Sequence, residues 1–167
     1  WHLAKAGAKV CVLEEKAVAS RASGGPGRRG VRANGRDVRE LPLMRRAYEH
    51  WPDLHRELTA EPFYERTGQL ILAETEADVD RLEAQCLLQT LHGIDSEWLD
   101  KDAVRALEPA LSDTVKGGLF CPKDGVADHG AVTRAYARAA ETRGVEFLIG
   151  LKASALVQRG DRVRAVR

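Results

Sequence analysis

The chain has 167 residues, enough for one ordinary domain with a sizeable core, and its 44% hydrophobic and 31% charged residues exclude a largely disordered chain. Its 26 Lys and Arg nearly cancel its 25 Asp and Glu, so the overall charge offers no footprint for nucleic acid or for a membrane surface. Three cysteines, Cys11, Cys86 and Cys121, stand far apart without CxxC or Cys/His metal spacing, which fits reduced thiols, a cytoplasmic setting and no metal site; no stretch approaches the roughly 20 apolar residues of a membrane span.

WHLAKAG, residues 1–7, reads as the last turns of a helix with Gly7 as its C-cap, and without an initiator methionine the chain is expected to begin inside an element. A buried strand follows over 9–13 and stops at two adjacent carboxylates, Glu14 and Glu15. A Gly/Arg/Ser loop covers 17–36. Leu41, Met44, Ala47, Trp51, Leu54 and Leu58 then recur at helical spacing, predicting one helix over 38–59 with Pro42 in its first turns and a kink at Pro52.

RTGQLILAET predicts a strand, and EADVDRLEAQCLLQTLHG a helix capped by Thr75 and ended by Gly93. SEWLD is a short strand, 101–107 a short helix, and GGLFCPKDGVADH holds another short strand and an Asp124-Gly125 turn. Asp128 caps a helix over 130–143, VEFLIG is a strand, and VQRGDRVRAVR predicts two strands about a Gly-Asp turn, the second still running at the last residue.

Helix end, glycine turn, buried strand and then acid is the order of the second half of a βαβ dinucleotide-binding unit, in which the acid accepts hydrogen bonds from ribose hydroxyls. Glu14 is placed for that task, and the glycine fingerprint belongs about 20 residues earlier, upstream of Trp1. The plainer alternative is that Glu14 and Glu15 solvate a strand end.

WHLAKAGAKVCVLEE, ASRASGGPGRRGVR, YERTGQLILAETEADVDRLEAQ, LEPAL and GGLFCPKDGVADHGAVTRAYARAAETRGVEFLIG, in that order and spacing, resemble the FAD-dependent D-amino acid oxidase family, in particular its sarcosine oxidase and glycine oxidase branch. The resemblance runs from end to end. It implies an α/β fold: a partial FAD-binding, Rossmann-like domain of the glutathione-reductase type over 1–37, the first part of an α+β substrate domain over 38–127, and the FAD-binding domain continued over 128–167.

The cofactor so implied is FAD, with Glu14 as the ribose ligand and Glu15 its exposed neighbour. Ser20, Ala22, Ser23, Gly24 and Gly25 are implied where backbone approaches the cofactor closely, because glycine admits both close approach and positive φ. Arg28 and Arg32 are implied to set positive charge near the flavin, where it favours the anionic reduced ring, although GGPGRRG with Pro26 departs from the common family form. Ala153 matches a backbone contact to the adenine edge.

The implied chemistry is oxidation of the C–N bond of a small amine or amino acid by hydride transfer to flavin, with oxygen, a quinone or a protein as electron acceptor. The catalytic residues are expected beyond this chain. Cys121 in its turn-like setting, and His129 beside the capping Asp128, carry no catalytic expectation. Two other readings are an NAD-dependent Rossmann-fold enzyme, against which the long loop and long helix after the acid count, and a non-catalytic remnant of a flavoprotein. Two structural expectations follow. KVCVL and VEFLI should lie side by side as parallel strands, and the isolated chain, with a central strand edge left open, should bind FAD negligibly and aggregate.

Overall fold

The computed structural model describes residues 1–21 and 27–167. In chain order its elements are α1 (His2–Lys5), β1 (Cys11–Glu14), β2 (Arg28–Val31), a 3-10 turn (Val38–Glu40), α2 (Leu41–His50), α3 (Leu54–Glu57), β3 (Tyr64–Glu65), β4 (Gln69–Ala73), α4 (Glu76–Leu91) and β5 (Glu97–Asp100). There follow α5 (Lys101–Leu107), β6 (Gly117–Cys121), β7 (Gly125–Asp128), α6 (His129–Glu141), β8 (Glu146–Ile149), β9 (Leu156–Arg159) and β10 (Arg162–Val166). They group into two compact units, one of residues 1–27, 55–63 and 128–167, the other of 28–54 and 64–127.

In the first unit β1 and β8 pair in parallel, Cys11 opposite Glu146 through Glu14 opposite Ile149, as expected for KVCVL and VEFLI. More than a hundred residues separate the two strands, so a crossover rather than a hairpin joins them. Gly7 at φ +85° ends α1 in the left-handed conformation that glycine adopts without strain. Asp128 caps α6 by accepting from Ala131 N–H at 2.8 Å. Trp1 meets Tyr136 of α6 edge-on, ring centres 5.8 Å apart, and β9 and β10 form an antiparallel hairpin about Gly160.

The second unit has two three-stranded sheets, β4-β6-β5 and β2-β7-β3. β6 is the central strand of the first, antiparallel to both neighbours, and α4 packs on it through Leu82 against Ala73 and Leu119. The second sheet corrects the sequence reading. β2 lies inside the stretch expected as loop 17–36, and β7 begins at Gly125, inside the expected Asp124-Gly125 turn, and runs to the capping Asp128, the turn itself falling earlier at Pro122 and Lys123. These strands are two to four residues long, too short for an alternation to betray them; distant partners make them strands.

The helix predicted over 38–59 is also corrected, being divided into the 3-10 turn, α2 and α3. Pro52 supplies the reason. Proline has no N–H for the carbonyl four residues back and its ring clashes with that carbonyl, so the helix ends ahead of it. The carbonyl released is that of Tyr48, and the Arg66 side chain donates to it at 2.7 Å.

Thr75 caps α4 as expected, in a reciprocal box: Thr75 Oγ1 accepts from Asp78 N–H at 3.1 Å, and Asp78 accepts from Thr75 N–H at 3.2 Å. Its hydrogen bond from the Thr75 hydroxyl, then that from Arg81, hold the Asp78 carboxyl at about 2, below the usual 3.8. A carboxyl lowered by folding stabilises fully above its unfolded value, and that contribution is lost as pH falls through the folded one. Protection of the first turn of α4 from hydrogen exchange should therefore be level above pH 5 and fall between about pH 4 and 2. The same profile in Asp78→Asn would disprove the linkage.

Candidate functional site

Glu14 ends β1 at the carboxyl edge of the parallel pair. Its carbonyl accepts from Gly150 N–H at 2.7 Å and Leu151 N–H at 3.2 Å, so the chain leaving β8 is tied to the acid's own backbone. Its side chain is half-buried and Oε1 accepts from Lys16 N–H at 2.7 Å. An ionised carboxylate has about four acceptor positions, so this contact orients the group and leaves capacity for two further donors. Glu14 stands on the rim of an apolar cleft of about 260 Å³ lined by Val12, Val18, Tyr136 and Phe147.

Glu15 is exposed, its carboxylate 4.0 Å from Lys152 Nζ. The chain then turns, with Ser20 N–H donating to Ala17 C=O at 3.0 Å and Ser20 Oγ accepting from Ala17 N–H at 3.4 Å. Between them Ala19 has φ +64°, a left-handed conformation uncommon outside glycine, which marks the start of the loop as locally strained. Ala22, Ser23, Gly24 and Gly25 lie outside the described residues. Ala153 is exposed in the segment joining β8 to β9, and next to it Ser154 N–H donates to Arg167 C=O at 2.7 Å.

In the other unit, Arg28 opens β2 and pairs with Glu65. Arg32, half-buried just after β2, donates through Nη1 to the carbonyl of Asn34. The two arginines thus differ in setting, one neutralised by a carboxylate and the other docked on a backbone dipole.

Sequence reasoning passed over the polar cluster in the same unit. Asn34, Gln89 and Asp124 are fully buried, and Cys121, read as semi-buried in a turn, is fully buried at the end of β6. Asn34 Nδ2 donates to Gln69 C=O at 3.1 Å, Gln89 Nε2 to Asn34 Oδ1 at 3.4 Å, and Ser96 Oγ to Gln89 Oε1 at 2.7 Å. Burial pushes the Cys121 thiol up to about 12, against the lowering hydrogen bond from Ser96, so it is a neutral packing group and not a nucleophile. Burial, and then the hydrogen bond to Asp124, raise the Tyr48 hydroxyl. The one sequence signal for this cluster was the polar residue Gln89 on the apolar stripe of α4.

Among the described residues no group of three or more His, Cys, Asp or Glu side chains is placed to hold a metal ion. Nor, among them, is any helix long and apolar enough to cross a membrane.

The family described as DAO, FAD dependent oxidoreductase, matches residues 1–167. The L-2-hydroxyglutarate dehydrogenase of Escherichia coli (strain K12) is 31% identical over 93 residues, covering 56% of this chain and 22% of that protein. The sarcosine oxidase subunit beta of Rhizobium meliloti (strain 1021) is 28% identical over 164 residues, covering 94% of this chain and 39% of that protein. The crystal structure of glycine oxidase from Bacillus cereus ATCC 14579 superposes with a TM-score of 0.80 at 27% identity, over 99% of this chain and 46% of that one. The chain therefore spans less than half the length of these relatives. With every residue inside the family match and the parallel strand pair ending in its carboxylate, the chain belongs to the DAO family of FAD-dependent oxidoreductases.

Proposed function

We propose that this chain carries the ribose-binding edge of an FAD site in an enzyme that oxidises the C–N bond of a small amine or amino acid, of the sarcosine, glycine or D-amino acid type. One observation carries the reading: a half-buried carboxylate, Glu14, at the carboxyl end of a parallel strand pair, oriented by Lys16 N–H and with acceptor capacity to spare. On this reading 1–37 and 128–167 belong to the FAD-binding domain and 38–127 begins the substrate domain.

FAD supplies a two-electron acceptor, and the task of the polypeptide is to bind and orient it. Glu14 would accept from the ribose hydroxyls, and Ser20, with Ala22, Ser23, Gly24 and Gly25 outside the described residues, are the candidates for close backbone approach to the cofactor. Backbone at Ala153 meets the adenine edge, and Arg32 supplies positive charge near the ring. Arg28 is the weaker candidate for that charge, because Glu65 already compensates it. The electron acceptor is oxygen, a quinone or a protein.

The similarity to an L-2-hydroxyglutarate dehydrogenase over 93 residues favours a second reading, oxidation of the C–O bond of a 2-hydroxy acid. The two differ in whether nitrogen or oxygen sits on the carbon that loses hydrogen. Anaerobic mixing of the full-length holoprotein with a panel of small amino acids, N-methyl amino acids and 2-hydroxy acids separates them. Loss of the oxidised-flavin absorbance with a nitrogen-bearing compound is the expected result; loss with 2-hydroxy acids alone would establish the second reading. A full-length preparation with no flavin spectrum after gentle purification would overturn both.

A further inference from the structure

Asp124 is fully buried, and three donors converge on its carboxylate: Ala33 N–H at 2.6 Å, Asn34 N–H at 3.2 Å and the Tyr48 hydroxyl. A carboxylate accepts only, and all three partners donate, so the group is matched without any cation. A buried carboxylate is costly unless bonded in this way, and its placement here holds one short piece of backbone, residues 33 and 34. The Asn34 side chain is gripped as well, through Gln69 and Gln89.

Arg32 immediately precedes that piece. Its Nη1 donates to the Asn34 carbonyl, and its side chain lies over two glycines. A Cβ added at Gly30 would stand 3.0 Å from Arg32 Cδ; one added at Gly35, where φ is +71°, would stand 2.9 Å from Arg32 Nη1. The guanidinium is thus seated on a carbonyl whose own residue is fixed through its N–H by Asp124. The glycines leave it the room to lie there.

The geometry points to Asp124 as a positioning residue for Arg32. It fixes the backbone on which the guanidinium docks and, on the reading that Arg32 supplies positive charge to the flavin, sets the cofactor's reduction potential without touching it. Electrostatic control of this kind needs a charge held in one place, since a cation moved toward solvent is screened by water and salt. A carboxylate serving stability alone would affect folding and leave the potential unchanged.

The test uses full-length holoprotein and reads the flavin midpoint potential beside the melting temperature. Arg32→Gln should shift the potential to more negative values, because it removes charge that favours the anionic reduced ring. Asp124→Asn should shift it in the same direction, and the double variant no further than the larger single shift. Leu82→Ala, in the separate cluster of the same unit with Ala73 and Leu119, should lower the melting temperature and leave the potential unchanged. Should Asp124→Asn fail to fold, Tyr48→Phe removes one donor and keeps the carboxylate, and it should give a smaller shift of the same sign. A silent Arg32→Gln would sink the placement of Arg32 near the flavin. An effective Arg32→Gln with a wild-type potential in the Asp124 or Tyr48 variant, or an equal shift in Leu82→Ala, would sink the positioning role alone.

Discussion

Glu14→Gln in the full-length protein should weaken FAD binding about thirty-fold, equivalent to roughly 2 kcal/mol. Hydrogen bonds to an ionised acceptor contribute roughly 1.5–3 kcal/mol each against about 0.5–1.5 for neutral pairs, and two ribose hydroxyls are at stake. The substitution is mild for the fold. The amide keeps an Oε1 to accept from Lys16 N–H, and the Glu14 carbonyl keeps its bonds to Gly150 and Leu151. Glu15→Gln is the internal control: that side chain is exposed and 4.0 Å from Lys152 Nζ, so its loss should leave affinity within about twofold, as for most exposed pairs. Flavin fluorescence titration decides the matter. Equal affinities for the wild type and the Glu14 variant would refute the ribose assignment.

Gly125→Ala should be the most damaging single methyl in the second unit. An added Cβ would lie 2.3 Å from the backbone carbonyl oxygen of Glu65 and 2.8 Å from the Tyr64 ring, and a backbone oxygen in a paired strand cannot swing aside. Relief requires β3 and β7 to separate where Tyr64 faces Ala127 and Glu65 faces Val126. The expected cost is about 3 kcal/mol, the upper end of ordinary overpacking, or a fall of roughly 6–12 °C in melting temperature. Gly144→Ala provides the contrast. Nothing lies within 4 Å of its added Cβ, so only the strain of φ +79° remains, about 1 kcal/mol. Equal losses in the two variants would show that contact at Gly125 is not what the fold protects.

The elements legible from residues alone were those whose signals are local. Helix α4 announces itself by its capping Thr75 and by Leu82 on its apolar stripe, and Asp128 starts α6 in the same way. The apolar run 10–13 ending in acid marks β1; that VEFLI is its parallel partner was implied only by the family resemblance, and β8 is that partner. Glu14 was visible as a candidate because a carboxylate at a strand end is a feature the chain itself displays.

The sheet β2-β7-β3 and the anchoring role of Asp124 have no such signature. Arg28–Val31 is strand only because Gly125–Asp128 lies beside it, nearly a hundred residues away in the chain. Asp124 reads as an ordinary turn residue before a glycine until folding brings Ala33, Asn34 and Tyr48 around it. The same holds for Arg32 and Arg28, identical in type and four residues apart, which Asn34 and Glu65 turn into a docked cation and a neutralised one. Caps, apolar period and strand-end charge are properties of neighbours in the chain, so composition and spacing suffice to find them. Strand pairing between very short segments, and the satisfaction of a buried carboxylate, depend on partners that only the closed tertiary structure brings within hydrogen-bond distance.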